Sequence, residues 1–471
     1  MIADNTSALN GNYLEQNIDN VISDIAALIE IPSVRDELSR SKHAPFGQPI
    51  RHAFDKLIEI ATGMGLEVRD HDGYAIDISV GEGEEEIALL HHIDVVSAGD
   101  LDQWKTNPYQ LVQKDGLIYG RGATDNKGPL IASLYILKMF KECSLPLDKK
   151  IRLIVGGAEE TTWECIDHYF QHNSQPDYAF SPDGDFPIVN GEFGIQYSSF
   201  TGMCKPVDDH DDHDDLCQIL SISSERDRTS TCHQLELTLS GKKAMEVAQR
   251  FSGLASLTTP CKESVCLRLE TPWEKSRNPH NVANCIDILV SVLRGVDYLD
   301  DNSKNLIKIF DDLFSDSSDG SKLGLSHSDS DMGTTTCCVS AINMDQQTFN
   351  LDFDFRYPKG LSIETIRTRL QQLSQQYEVN LIEHQHLPLS YLSPESPLIQ
   401  SMGKAYFDVT GKPVRCFSKR AASYARSLKN GVAFGPTFPE EVTNVHGPNE
   451  QLCIESLIKA FSIYVKVLIS I

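Results

Sequence analysis

The sequence has no apolar run approaching the roughly 18 consecutive residues that a membrane-spanning helix needs. Its first residues, MIADNTSALNGNYLEQ, have neither a basic start nor an apolar segment, so no secretory leader is expected. Positive charge is scarce: 42 Lys and Arg stand against 67 Asp and Glu, for a formal net charge of −25. Such a chain is repelled by phosphate backbones and anionic lipid surfaces, which argues against nucleic-acid and membrane partners. No C-x-x-C pair occurs among the twelve cysteines, and Cys337-Cys338 is an adjacent doublet. They are too thinly spread for a disulfide scaffold, and without a leader they read as reduced thiols of a cytoplasmic protein. There is no internal repeat. What is present is an ordinary globular composition, 40% hydrophobic and 23% charged, over 471 residues. That length corresponds to about three domain-sized units.

The first part alternates between helical and strand patterns. Apolar residues recur at helical spacing in Tyr13–Ile31 and Ile50–Met64. EEIALLHHIDVVSAG is a short apolar run, GPLIASLYILKMFKEC a helix opened by Gly128-Pro129, and KKIRLIVGGAEE a second apolar run ending in carboxylates. This pattern predicts crossover units and a mixed, mostly parallel sheet with helices on both faces. After Gly194 the character changes. LELTLSG and QTFNLDFDFRYP alternate like antiparallel strands, and LSIETIRTRLQQLSQQY is an amphipathic helix. From Ser390 the α/β character returns, ending in a helix over Ile454–Ile471. The expected organisation is a catalytic domain, 1–194 and 393–471, with an inserted α+β lid domain over 195–392. The acidic run DDHDDHDD, Asp208–Asp215, reads as a solvated loop. Cys337-Cys338 and the Ser/Asp-rich Ser315–Asp331 stretch read as lid surface or loop.

Five segments place metal-competent residues beside an apolar run or a helix start. In His91-His92-Ile93-Asp94 a strand would put His92 and Asp94 on one face and His91 on the other. That spacing suits a ligand histidine steadied by a carboxylate. Asp125 lies in YGRGATDNKGP just before a helix start, where helix capping is the plain alternative. Glu159-Glu160 closes an apolar strand, so one carboxylate can bind a metal while the other handles a proton. Asp183 sits in a Pro/Gly turn, and His446 in a loop ahead of the final helix. Singly each has an ordinary structural explanation. Together, His92, His446, Asp125, Glu159, Glu160 and Asp183 form an N/O donor set suited to a zinc or manganese pair bridged by one carboxylate.

The blocks HHIDVVSAGD, YGRGATDNKGP, IVGGAEETTWEC, FSPDGDFPIVNGEFG, DFRYP, VAFGP and NVHGPNE, with IEIPSVRDE ahead of them, resemble the ordered signatures of the co-catalytic metallo-aminopeptidase clan. That clan includes carnosinases, carboxypeptidase G and acetylornithine deacetylase, and the similarity is closest to its bacterial PepV-like dipeptidase branch. The resemblance implies a zinc-exopeptidase-like fold and two divalent cations, zinc first, with manganese or cobalt as alternatives. It implies that His92, Asp125 and Asp183 bind one metal and that Asp125, Glu160 and His446 bind the other. Asp94 would orient His92, and Glu159 would be the general base that takes a proton from water and returns it to the leaving amine. The substrate would be a small peptide, and the chain a monomer or homodimer.

Two stretches depart from the family pattern. Relatives carry a lid histidine a few residues before a proline. In TPWEKSRNPHNVAN, residues 271–284, Lys275 stands at its place, with His280 as the alternative after a register shift. Relatives also have a glycine run before Thr-Tyr-Ala-Arg, where this chain has Arg420, Ala421 and Ala422. Arg356 in DFRYP does match, and relatives use it near the substrate carboxylate. The leading expectation is a metallo-dipeptidase. The alternatives are an N-acyl amino acid amidohydrolase and a catalytically silent metal- or peptide-binding relative.

Overall fold

The computed structural model describes residues 13–143, 147–204, 216–261 and 264–471, so the acidic run Asp208–Asp215 lies outside the described residues. The chain divides into two units. One is built from Met1–Gly191, Ser390–Ser418 and Ala422–Ile471, the other from Glu192–Leu389 with Lys419–Ala421.

The first unit opens with α1 (Ile18–Ile29), α2 (Gln48–Gly63), β1 (Val68–His71), β2 (Ala75–Val80) and β3 (Glu86–His92). It continues through α3 (Gly128–Glu142), β4 (Lys150–Gly156), α4 (Glu164–His172), β5 (Tyr178–Ser181) and β6 (Ile188–Glu192). In α1 the residues that recur on one face, Val21, Ile25, Leu28 and Ile29, are the buried ones. Pro129 occupies the first turn of α3, where its missing N–H has no intrahelical partner to lose.

The second unit contains β7 (Gly194–Met203), β8 (Gln218–Ser223), β9 (Gln234–Ser240), β10 (Ala255–Cys261), β11 (Ser264–Glu270), α5 (Cys285–Leu293) and α6 (Asp301–Leu313). It closes with β12 (Thr336–Met344), β13 (Thr348–Tyr357), α7 (Ile363–Gln376) and β14 (Asn380–Leu387). Its strands form one eight-stranded sheet in the order β10-β11-β9-β8-β12-β13-β7-β14. One face is apolar: Phe200, Leu351, Phe353 and Phe355 share a core with Leu289, Phe310 and Leu370 of the helices. By alternation, Tyr197, Ser199, Asp352, Asp354 and Arg356 occupy the other face. The expectation that Cys337-Cys338 lies on a surface or loop is corrected here. Both are buried within β12, where a strand turns successive side chains to opposite faces and Cys337 joins the apolar core.

The chain then returns to the first unit with β15 (Ser390–Tyr391), α8 (Pro397–Thr410), β16 (Cys416–Lys419), β17 (Gly431–Ala433), β18 (Gln451–Cys453) and α9 (Ile454–Ser470). The main sheet runs β1-β2-β4-β3-β5-β17-β6-β15, with β16 also paired to β6. The central four, β4, β3, β5 and β17, are mutually parallel. The β1–β2 connection is too short for a crossover, so β2 returns antiparallel and pairs antiparallel with β4. β3 and β4 are buried along nearly their whole length, as strands covered on both faces must be.

Gly194 is paired with Tyr357 across β7 and β13, and a Cβ there would overlap the Tyr357 ring. Gly194→Ala is therefore expected to destabilise the protein by about 1–3 kcal/mol through overpacking. A thermal melt beside wild type measures this, and an unchanged midpoint would show that the ring moves aside freely.

Candidate metal centre

β3 ends on His92 and β4 on Gly156, two residues paired in register. Glu159-Glu160 follows β4, and Asp183 follows the end of β5 at Ser181. These are the C-terminal ends of adjacent parallel strands, where open α/β sheets gather their ligands. Asp125 arrives from the loop ahead of α3, whose tight bend needs Gly122 in the left-handed region at φ 85. His446 arrives from the loop preceding β18.

The side chains converge. His92 Nε2 lies 2.8 Å from Asp125 Oδ1 and 3.7 Å from Asp183 Oδ2. His446 Nε2 lies 2.9 Å from Asp125 Oδ2 and 3.1 Å from Glu160 Oε1. Asp125 thus turns one oxygen toward each histidine. His92, Asp125 and Glu160 bring ligand atoms within 4.8 Å of one another, and so do His92, Glu159 and Asp183. The crowding shows in the acidities. Burial, reinforced by the Asp125 charge, pushes the Asp183 carboxyl up to about 7. Burial also holds Glu159 well above its ordinary range, with His92 opposing and the neighbouring carboxylates reinforcing. Asp125 moves the other way: the two histidines beside it overcome its burial.

Three buried side chains hold the loops in place. Asp94 faces two neighbours. Its two oxygens accept from the backbone N–H groups of Glu159 and Glu160 at 3.1 and 3.0 Å. His92 Nδ1 faces the Asp94 carbonyl oxygen at 3.0 Å, with the carboxylate 3.6 Å away. A backbone oxygen fixes the imidazole tautomer as well as a carboxylate does. Glu450, fully buried, accepts from the backbone N–H groups of Gly122, Thr124 and Asp125 at 2.9–3.0 Å and from Arg121 Nη1 at 2.7 Å. Asn126 donates to the carbonyl of Pro182 at 2.7 Å, and its own carbonyl meets His91 Nδ1 on the far side of β3. Behind His92 stands Tyr424, buried, its ring edge-on to both His92 and Trp163. The Trp163 indole donates to the Glu159 carbonyl at 2.7 Å.

The residues fit a pair of cations. His92 Nε2 and Asp125 Oδ1 are buried and 2.8 Å apart, yet they meet no hydrogen-bond geometry. Ligand atoms aimed past each other at one point are what a shared cation draws together. Imidazole and carboxylate donors suit zinc, manganese or cobalt alike.

A family model, Peptidase family M20/M25/M40, matches residues 88–470. The chain belongs to that family. It is 31% identical over 453 residues to the putative dipeptidase YtjP of Bacillus subtilis (strain 168), covering 95% of this chain and 96% of the relative. It is likewise 31% identical over 467 residues to a putative dipeptidase of Staphylococcus aureus (strain MRSA252), covering 97% and 98%. Among solved M20-like folds, yeast Dug1p, described as a di-peptidase from Saccharomyces cerevisiae, superposes with a TM-score of 0.60 at 14% identity, over 98% of each chain. Human carnosine dipeptidase 1 gives 0.59 at 14%, also over 98% of each chain. At those identities the likeness is one of fold. As an M20 peptidase, this protein is a metal-dependent hydrolase of peptide bonds.

The remaining expected residues lie in the second unit. Arg356 is buried, with its guanidinium on Asp354 at 2.6 Å, the Tyr197 hydroxyl at 3.3 Å and Ser276 Oγ at 3.2 Å. Lys275 and His280 lie on the 271–284 segment, and both are exposed. Glu450, Asn126 and Tyr424 were not singled out for the site from sequence. Glu450 stood inside the quoted NVHGPNE block, but nothing local marks a carboxylate that serves a loop more than 300 residues away.

Glu450→Gln offers an amide where three N–H groups need an acceptor. It is expected to fold and to weaken metal retention about 10–100-fold, as loss of a ligand's supporting partner does. Metal content after dialysis against graded chelator is the measurement, and wild-type retention would remove Glu450 from the metal centre.

Proposed function

We propose that this M20 peptidase cleaves the peptide bond of dipeptides or other short peptides with a free C-terminal carboxylate. The observation that carries the reading is Asp125, one oxygen toward His92 and the other toward His446, with the Glu159 carboxylate beside the same cluster. On this reading His92, Asp125 and Asp183 hold one cation, and Asp125, Glu160 and His446 hold the other. When bound, the cations supply Lewis acidity that polarises the scissile carbonyl and lowers the pKa of water. Glu159 accepts the water proton and delivers it to the leaving amine. Asp94 presents Glu159 and Glu160 together by gripping their backbone. No protein nucleophile is required, so none of the cysteines enters the reaction.

In the second unit Arg356 is assigned to the substrate carboxylate, and Lys275 or His280 to the substrate carbonyl. Support for Arg356 is its place in DFRYP and the single position in which Asp354 holds its Nε and Nη2. Zinc is the preferred metal, with manganese or cobalt as alternatives. Among the described residues no helix is long and apolar enough to cross a membrane, and the cysteines are free. A cytoplasmic peptide hydrolase, monomeric or homodimeric, is consistent with both.

Glu159→Ala is expected to keep both metals while turnover of a dipeptide panel falls about 10²–10⁴-fold. Elemental analysis beside the activity assay separates the roles. Loss of one metal with the activity would make Glu159 a ligand and the base assignment wrong.

A further inference from the structure

The two histidines of the metal centre are held in different ways. Behind His92 the Asp94 carbonyl oxygen faces Nδ1 at 3.0 Å, and the His92 side chain is only 1% exposed. His446 turns Nε2 to Asp125 and Glu160, but its side chain is 52% exposed. Its Nδ1 meets no partner among the described residues. A ligand imidazole is ordinarily steered through its second nitrogen. Without that steering, the His446 ring is placed only as well as the backbone that carries it.

That backbone is constrained. Glu440, Asn444, His446 and Asn449 all lie in the left-handed region, His446 at φ 64. A residue other than glycine stays there only where its surroundings hold it. Part of the hold is internal: the Gly447 N–H donates to the Asn444 carbonyl at 2.9 Å, and Asn444 Nδ2 to the Asn449 carbonyl at 3.2 Å. Over His446–Asn449 two side chains tie the loop outward. Arg121 Nη2 donates to the Gly447 carbonyl at 3.1 Å, while the same guanidinium also serves Glu450. Asn449 has no such second duty. Its Oδ1 accepts from the Lys105 N–H at 2.7 Å and its Nδ2 donates to the Gln103 carbonyl at 3.0 Å. One amide thus makes a matched pair of backbone bonds across 344 positions. The segment it grips is anchored in turn. Trp104, between the two contacts, is buried, donates from its indole to the Ala98 carbonyl at 2.8 Å and lies under the Arg121 guanidinium at 5.2 Å. Pro448, with its fixed φ, stiffens the link from Asn449 back toward His446.

We infer that Asn449 is the positioning residue of His446: its amide pins the His446 loop to the backbone of Gln103 and Lys105 and so holds the imidazole in place for its cation. This rests on the reading above that gives Asp125, Glu160 and His446 one of two cations. Both amide bonds are open to water, which would satisfy each group singly, so the amide supplies position more than folding stability.

The test uses Asn449→Gly in the full chain, because glycine keeps the left-handed backbone and removes only the amide. Wild type and variant are loaded with zinc, dialysed against graded chelator and compared by metal content. The variant should release one ion at a chelator concentration about tenfold or more below that which wild type requires, and hold the other as wild type does. Asn449→Asp, which keeps the acceptor for Lys105 and loses the donor for Gln103, should fall between the two, and it carries the comparison if the glycine variant does not fold. In the metal-free protein, hydrogen exchange over residues 442–449 should quicken about tenfold in Asn449→Gly, while the central strands exchange as in wild type. A role in general stability would lower the melting midpoint and loosen both ions together. That result, or wild-type retention of both ions, overturns the inference. If wild type binds fewer than two ions, the two-cation reading fails separately. The inference is then decided by the exchange measurement, where unchanged protection over 442–449 overturns it.

Discussion

Mutual repulsion among four carboxylates is the constraint around which the first unit is organised. Asp125, Glu159, Glu160 and Asp183 come from three separate loops and crowd onto two histidines at the end of a buried sheet. Left to themselves such loops would spread, since like charges in a poorly solvated place repel strongly. Each is tied down by a buried polar side chain acting on its backbone. Asp94 grips the Glu159-Glu160 turn, Glu450 grips the Asp125 loop, and Asn126 ties that loop to Pro182 beside Asp183. The ties themselves are satisfied: Glu450 by three backbone N–H groups and Arg121, Asn126 by His91. The geometry is therefore held before any cation arrives, which is what allows a metal centre to bind tightly and reproducibly.

The legibility of this arrangement in the sequence follows range. His92, Asp125, Glu159, Glu160, Asp183 and His446 were readable as a set because each lies in a short segment that combines a strand end or helix start with a metal-competent side chain. The supports were not. Glu450 meets Asp125 across 325 positions and Tyr424 meets Cys165 across 259, distances at which spacing carries no information. Asp94 illustrates the intermediate case. Period-two alternation puts it on the His92 face, but nothing in the spacing shows that its carboxylate also reaches the turn after the next strand and holds two backbone N–H groups there. The same limit applies to the sheet. Apolar runs followed by helices signalled parallel crossovers, whereas the antiparallel β1–β2 edge depends on a tight connection that a crossover reading overlooks. Cys337-Cys338 misled for a simpler reason: a polar, Ser/Asp-rich approach concealed the start of a buried strand.

The second unit poses the opposite electrostatic problem. Its sheet sorts side chains cleanly, aromatic and aliphatic on one face, Asp352, Asp354 and Arg356 on the other. Arg356 is satisfied by Asp354, and Arg420 brings a second guanidinium close enough for the two charges to oppose each other. An arginine that only filled space would leave its charge in water on a long stem. Here the stem is folded back over Phe193, the fork is fixed by Thr334, and Nε is turned away from solvent.

Charge is balanced differently in the two units. In the second, Arg356 is answered from within: its Nε and Nη2 bond to Asp354 and its Nη1 to the carbonyl oxygen of Arg420, so the buried guanidinium is paired as the fold forms. In the first, the carboxylates outnumber the histidines that face them, and the raised acidities of Glu159, Glu160 and Asp183 are the sign of that imbalance. Divalent cations are the chemistry that resolves it, because the bracing by Asp94, Glu450 and Asn126 fixes the backbone of the loops and leaves the side-chain oxygens and His92 Nε2 to meet a ligand.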